Sequence, residues 1–117
     1  MSEWTIYHNP RCSKSRQTLQ LLEDNGVEPT VVLYLETPPT RAQLITLLNK
    51  LKLSPRELLR KGEDEYQELN LANTELEDEE LLDAMVAHPK LIERPIVVRG
   101  SKAVLGRPPE NVLKLLR

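Results

Sequence analysis

The sequence predicts one α/β domain in which a parallel βαβ half and an antiparallel ββα half are separated by a helical segment. Three observations carry this. Two β-rich stretches, residues 4–8 and 30–35, flank a segment of helix formers. Two more near the C terminus are joined by Gly100-Ser101, and between about residues 40 and 90 leucines recur at helical spacing. With 117 residues the chain is the size of a single folding unit.

Trp4-Thr5-Ile6-Tyr7-His8 alternates and is β-branched or aromatic, which predicts a strand, and Asn9-Pro10 breaks it. From Cys12 to Asn25 the residues are helix formers with Leu19 and Leu22 on one face, and Gly26 is placed to end the helix. Cys12 therefore falls at a helix N-terminus. The run Thr30-Val31-Val32-Leu33-Tyr34-Leu35 predicts a strand covered on both faces, and a strand, helix and strand joined this tightly form a parallel βαβ unit.

Thr37-Pro38-Pro39 closes that unit. Thr40-Arg41-Ala42-Gln43 has the form of a capping box ahead of Leu44, Leu47, Leu48 and Leu51. Ser54-Pro55-Arg56-Glu57 forms a second, with proline at the first helical position, and opens a short helix through Leu58 and Leu59 to Arg60. A third helix is predicted from about Leu76 to Ala87, with Leu81, Leu82 and Met85 inward and acidic residues outward. The stretches Pro95-Ile96-Val97-Val98 and Ala103-Val104-Leu105 read as a hairpin, since glycine at the first central position suits a type II′ turn. Arg107-Pro108-Pro109 starts a last helix with Val112, Leu113 and Leu116 on one side.

Composition narrows the function. Hydrophobic residues at 39% suffice for a core, no apolar run approaches the roughly 20 residues that span a bilayer, and the first residues lack the pattern of a signal peptide. A cytoplasmic, monomeric protein is expected. The net charge of −2 argues against nucleic acid or an anionic membrane as partner. Charge is nevertheless segregated: residues 63–83 hold ten acidic and no basic residues, whereas residues 94–117 hold six basic residues against Glu110. Solvated surface is the plain reading of both. A single cysteine excludes an internal disulfide, and with two widely spaced histidines it makes no recognisable metal site.

The chemistry centres on Cys12. A thiol at a helix N-terminus meets unpaired N–H groups and the positive end of the helix dipole, which favour the thiolate. Arg11, Lys14 and Arg16 add positive charge nearby, and the expected thiol pKa lies well below about 8.5. An inert, buried cysteine is the competing reading, set against the polar neighbours Arg11, Ser13, Lys14 and Ser15. His8, one short loop earlier, can approach Cys12 to stabilise the thiolate or shuttle a proton, or else simply face solvent at the strand end. His8, Arg11, Ser15 and Arg16 are the candidate thiolate-stabilising residues. His88 needs no more than a helix-capping role.

Spacing removes two thiol chemistries. Phosphatase-type loops place arginine six positions after the cysteine, where this chain has Thr18; a thioredoxin-type dithiol needs a second cysteine at Ser15. What remains is a single nucleophilic thiol whose reductant comes from another molecule. Arg94 before Pro95, Arg107 before Pro108, and Arg60 at its helix end are candidate oxyanion ligands. Converging on a helix N-terminus, their paired donors would make a dianion pocket.

Tyr7-His8-Asn9-Pro10-Arg11-Cys12 with Ser15-Arg16, Leu33-Tyr34-Leu35-Glu36-Thr37-Pro38, Leu58-Leu59-Arg60, Glu93-Arg94-Pro95-Ile96-Val97-Val98 and Gly106-Arg107-Pro108 resemble the glutaredoxin-dependent arsenate reductase family. The match runs in order along nearly the whole chain. Ser13-Lys14-Ser15 and the end at Arg117 are similar to a shorter, arsenate-reductase-like branch of it. The resemblance implies a thioredoxin-like fold (βαβ plus ββα, a mixed four-stranded sheet) with a helical insertion at about residues 40–90, and a cis-proline junction at Arg94-Pro95. It also implies a mechanism. Cys12 attacks arsenate, Arg60, Arg94 and Arg107 hold the oxyanion, and His8 helps keep Cys12 ionised. Glutathione, a co-substrate and not a bound cofactor, leaves a mixed disulfide that glutaredoxin resolves.

Two other functions fit parts of the sequence. A glutathione-dependent thiol/disulfide oxidoreductase needs Cys12 and not the three arginines. An RNA polymerase-binding regulator resembling the Spx type shares the fold, but its usual two-cysteine switch is missing with Ser15 in the second position.

Overall fold

Burial alternates along Trp4–His8 (β1), with Trp4, Ile6 and His8 inside, and this strand lies at the centre of the sheet. The computed structural model describes residues 3–116 and divides into two compact units, Met1–Thr37 with Arg94–Arg117, and Pro38–Glu93.

In the first unit, β1 leads through a tight loop into a helix, Ser13–Asp24 (α1), and then to the strand Thr30–Leu33 (β2), parallel to β1 as the spacing predicts. Gly26 ends α1 with φ +77°. The chain returns in the strands Ile96–Arg99 (β3) and Lys102–Leu105 (β4), β3 antiparallel to both β1 and β4, so the sheet order is β2-β1-β3-β4. The turn is Gly100-Ser101, with φ +59° at glycine and serine outside the left-handed region, as a type II′ turn requires. Trp4, Ile6, Leu22, Val27, Val97, Val112 and Leu115 form the core.

Two expectations for this unit are corrected. The strand expected over residues 30–35 stops at Leu33 and is not covered on both faces: Thr30 and Val31 are exposed because β2 lies at the sheet edge. Tyr34, beyond it, is the buried residue. The last helix is a 3-10 helix, Pro109–Leu115, so Leu115 joins Val112 among the buried core residues, while the expected Leu116 is partly buried and packs against them. Three residues per turn place Pro109, Val112 and Leu115 on one face.

The second unit is helical: Arg41–Leu51 (α2), Pro55–Leu58 (α3), Asp64–Glu68 (α4), Asp78–Ala87 (α5) and a 3-10 turn, Pro89–Leu91. The Thr40–Gln43 and Ser54–Glu57 capping boxes both form. Such a cap contributes about 1 kcal/mol. Helix α5 packs against α2, α3 and the 3-10 turn through Leu81, Leu82 and Met85. The sequence reading missed α4, which lies in the acidic run and buries no residue, so apolar periodicity gives it no signature. Helix α3 also ends sooner than expected: Leu59 leaves it to bridge Ile92, and Arg60 lies past the helix.

Candidate active site

Strand direction explains why residues so far apart in sequence meet. Because β3 runs antiparallel to β1, and β4 to β3, the C-terminal end of β1, the start of β3 and the end of β4 share one edge of the sheet. Cys12, Arg94 and Arg107 sit in the segments leaving or entering that edge. Arg94-Pro95 is a cis peptide bond, as the resemblance implied, and Arg107-Pro108 is another.

The loop carrying Cys12 is fixed by its own backbone. Asn9 Oδ1 accepts from the Arg11 N–H at 3.0 Å, and the Asn9 carbonyl accepts from the Cys12 N–H at 3.0 Å. Arg16 Nη1 donates to the Pro10 carbonyl at 2.9 Å. Cys12 is the N-cap of α1, half-buried, in extended conformation, and no acidic residue occupies the first turn to compete for the helix dipole.

Two opposing effects set its ionisation. Burial pushes the thiol up, but the Ser15 backbone N–H, the Arg94 guanidinium with its hydrogen bond and charge, and the Lys14 backbone N–H together outweigh it. The net pKa lies below the ordinary thiol value. Arg107 Nη1 approaches the sulfur at 3.9 Å and donates to the Arg94 carbonyl at 3.3 Å, so one guanidinium links thiol and cis-proline junction. The charges acting on Cys12 thus differ from those expected. Arg94 supplies positive charge from outside the loop, and Lys14 and Ser15 act through the backbone N–H groups that a helix N-terminus offers. Arg11 is exposed and Arg16 binds the loop carbonyl.

His8 does not face solvent; it is 7% exposed, and its Nδ1 lies 2.6 Å from Ser15 Oγ. Ser15 Oγ also accepts from the Asn9 N–H at 3.0 Å, so this fully buried hydroxyl ties β1, loop and helix together. Burial and then the positive charge of Arg16 hold the His8 pKa below 6.5, so His8 is neutral at neutral pH and brings no positive charge to the thiolate.

Arg60 belongs to the helical unit. Its backbone N–H donates to the Leu91 carbonyl at 2.7 Å, and its guanidinium meets Glu93 at 2.9 Å and Glu63 at 3.4 Å. Among the described residues, no group of three or more His, Cys, Asp and Glu is placed to hold a metal ion. No described helix is long and apolar enough to cross a membrane.

Sequence reasoning gave no structural role to two residues beside the site. Thr18, fully buried on α1, donates to the Lys14 carbonyl at 2.7 Å and to the Gly106 carbonyl at 3.2 Å. Gly106 is required for space and not for conformation: a Cβ there would sit 2.5 Å from Thr18 Oγ1 and 2.7 Å from Pro95 Cγ. The sequence signal was a glycine directly before an Arg-Pro pair at a strand end.

With this geometry in place, the likeness to known proteins is informative. The ArsC family model matches residues 7–115. The uncharacterized protein YfgD of Escherichia coli is 62% identical, over 95% of this chain and 94% of that one. An arsenate reductase of Neisseria meningitidis is 50% identical, over 99% of this chain and 100% of that one. The structure of an arsenate reductase from Vibrio cholerae superposes with a TM-score of 0.92 at 53% identity, covering 95% of each chain. The mixed sheet and its helices are thus the thioredoxin-like fold that the resemblance implied. A matched segment that takes in Cys12, Arg94 and Arg107, together with these full-length relatives, places the chain in the ArsC family.

Proposed function

We propose that this chain is an arsenate reductase that takes its electrons from glutathione and is returned to its starting state by glutaredoxin. The observation that carries the reading is one site holding a thiol biased toward thiolate at the start of α1, with the guanidinium groups of Arg94 and Arg107 beside it. The names of ArsC relatives support it.

Arsenate is a tetrahedral oxyanion, and paired guanidinium donors with helix N–H groups suit it. Arg94 and Arg107 bind its oxygens; Arg60, which the family resemblance also assigns to the oxyanion, belongs to the helical unit. The Cys12 thiolate attacks arsenic of dihydrogen arsenate; an S–As bond forms, one proton is taken up and one oxygen leaves as water. Glutathione then attacks the Cys12 sulfur. An S–S bond forms, the S–As electron pair stays on arsenic, and As(V) becomes As(III) while two thiols become one disulfide. Glutaredoxin attacks the glutathione sulfur and frees Cys12. His8 and Ser15 hold the loop, Arg11 stays at its exposed edge and Arg16 pins it from outside. The cycle runs in a monomer, in the cytoplasm, on a diffusible thiol and with no bound cofactor.

One observation favours the second reading, a glutathione-dependent thiol/disulfide oxidoreductase of another substrate: Arg60 already meets two carboxylates. Arsenate-dependent NADPH consumption with glutathione, glutaredoxin and glutathione reductase separates the two. Arsenate turnover in the wild type, lost in Cys12→Ser and Arg94→Ala, supports arsenate reduction. No arsenate turnover from a Cys12 that still forms the glutathione mixed disulfide overturns it in favour of the second reading.

A further inference from the structure

The reacting groups lie on three separate segments: the first turn of α1, the Arg94-Pro95 junction and the Gly106-Arg107 segment after β4. All three meet at one place away from the sulfur. The Thr18 hydroxyl has a single proton to offer, and two carbonyls lie within its reach, that of Lys14 at 2.7 Å and that of Gly106 at 3.2 Å. Its first acceptor is in the turn whose N–H groups face Cys12; its second precedes Arg107. The Gly106 N–H donates to the Pro95 carbonyl at 2.9 Å, which brings the Arg94 junction into the same cluster. The fit is tight: a Cβ on Gly106 would meet Thr18 Oγ1 at 2.5 Å, Thr18 Cγ2 at 2.8 Å and Pro95 Cγ at 2.7 Å.

We propose that Thr18 is a positioning residue: packed on the bare Cα of Gly106 and bonded to its carbonyl, it sets how closely Arg94 and Arg107 approach Cys12. Helix packing alone does not need this hydroxyl. Valine has nearly the same shape, and at a buried position in mid-helix a hydroxyl competes with the backbone and brings no gain in helix stability. Its use is the long-range bond to Gly106, from which Arg107 continues toward the sulfur at 3.9 Å. The proposal rests on Cys12 as the reacting thiol of the proposed function, but it does not depend on arsenate being the substrate.

The test therefore uses iodoacetamide, not arsenate. The alkylation rate of Cys12 is followed against pH in wild type, Thr18→Val and Thr18→Ser, with far-UV circular dichroism and urea unfolding as checks of the fold. Loss of the hydroxyl lets both arginines retreat, so Thr18→Val should show its inflection about half a unit or more above wild type, while Thr18→Ser keeps the wild-type inflection. A residue of purely structural importance would lower stability and leave the inflection in place. A folded Thr18→Val protein with the wild-type inflection, whatever its stability, overturns the proposal. Gly106→Ala tests the same contact by adding bulk, and its inflection should move in the same direction; an unmoved inflection in a folded Gly106→Ala protein counts against the proposal equally. Because alkylation needs no oxyanion, a protein that fails to reduce arsenate still gives a decisive answer.

Discussion

Arg107 Nη1 stands 3.9 Å from Cys12 Sγ while the same nitrogen donates to the carbonyl of Arg94 at 3.3 Å. Arg107 is thereby aimed by the residue that contributes most of the side-chain charge acting on the thiol. Arg94→Ala should raise the Cys12 alkylation inflection by about one unit, the low end for removing an opposite charge within contact distance. Arg94→Lys should recover part of the shift, because lysine restores charge without the planar fork. An inflection unchanged in Arg94→Ala would show that the backbone N–H groups of α1 suffice alone.

His8 predicts how stability depends on acidity. Burial, then the charge of Arg16, depresses its folded pKa below the ordinary 6.5. A base with a depressed folded pKa binds fewer protons folded than unfolded, so stability rises with pH through that window and is lost as pH falls from about 6.5 toward the folded value. Urea unfolding between pH 7 and pH 5 should therefore show a steeper loss for wild type than for His8→Gln. Carboxylates titrate in both proteins and cancel in the comparison; equal slopes would refute the assignment.

Ser15 carries a different liability. Its fully buried hydroxyl serves both His8 Nδ1 at 2.6 Å and the Asn9 N–H at 3.0 Å. Ser15→Ala leaves both groups buried without that partner, which costs about 1–3 kcal/mol. The denaturation midpoint in urea should fall accordingly. A loss under about 0.5 kcal/mol would mean that the loop relaxes to satisfy both groups elsewhere.

How much of this was legible in the sequence depended on how local the physics is. The Thr40 and Ser54 capping boxes, the Gly26 stop and the Gly100-Ser101 turn are decided by a few adjacent residues, and each appears as read. Strand β2 misled because an apolar run looks alike in a covered strand and an edge strand; only the order β2-β1-β3-β4 distinguishes them. Cys12 was visible from its place before a helix. The backbone N–H groups that favour its ionisation were legible from that place too, but its charged partner was not: Lys14 and Arg16 are near in sequence, whereas Arg94 comes close only through the pairing of β1 with β3. Thr18 and Gly106 are 88 positions apart, and although Gly106 stands in the Gly106-Arg107-Pro108 motif, nothing local to either residue shows that they meet.

Arg60 offers the sharpest division between binding and ionisation. Its guanidinium sits with Glu93 at 2.9 Å and Glu63 at 3.4 Å, and the groups that lower the Cys12 pKa are Ser15, Arg94 and Lys14. If it also binds oxyanion, arsenate must compete with those carboxylates, and the arginine's contribution belongs to substrate binding. Arg60→Ala should then raise the arsenate KM about tenfold, equivalent to about 1.4 kcal/mol, and leave the Cys12 alkylation inflection where it is. Arg94→Ala, by contrast, should move both. A KM for arsenate unaltered in Arg60→Ala would confine the oxyanion site to Arg94, Arg107 and the start of α1, and would leave Arg60 as the ion-pair partner of Glu63 and Glu93 within the helical unit.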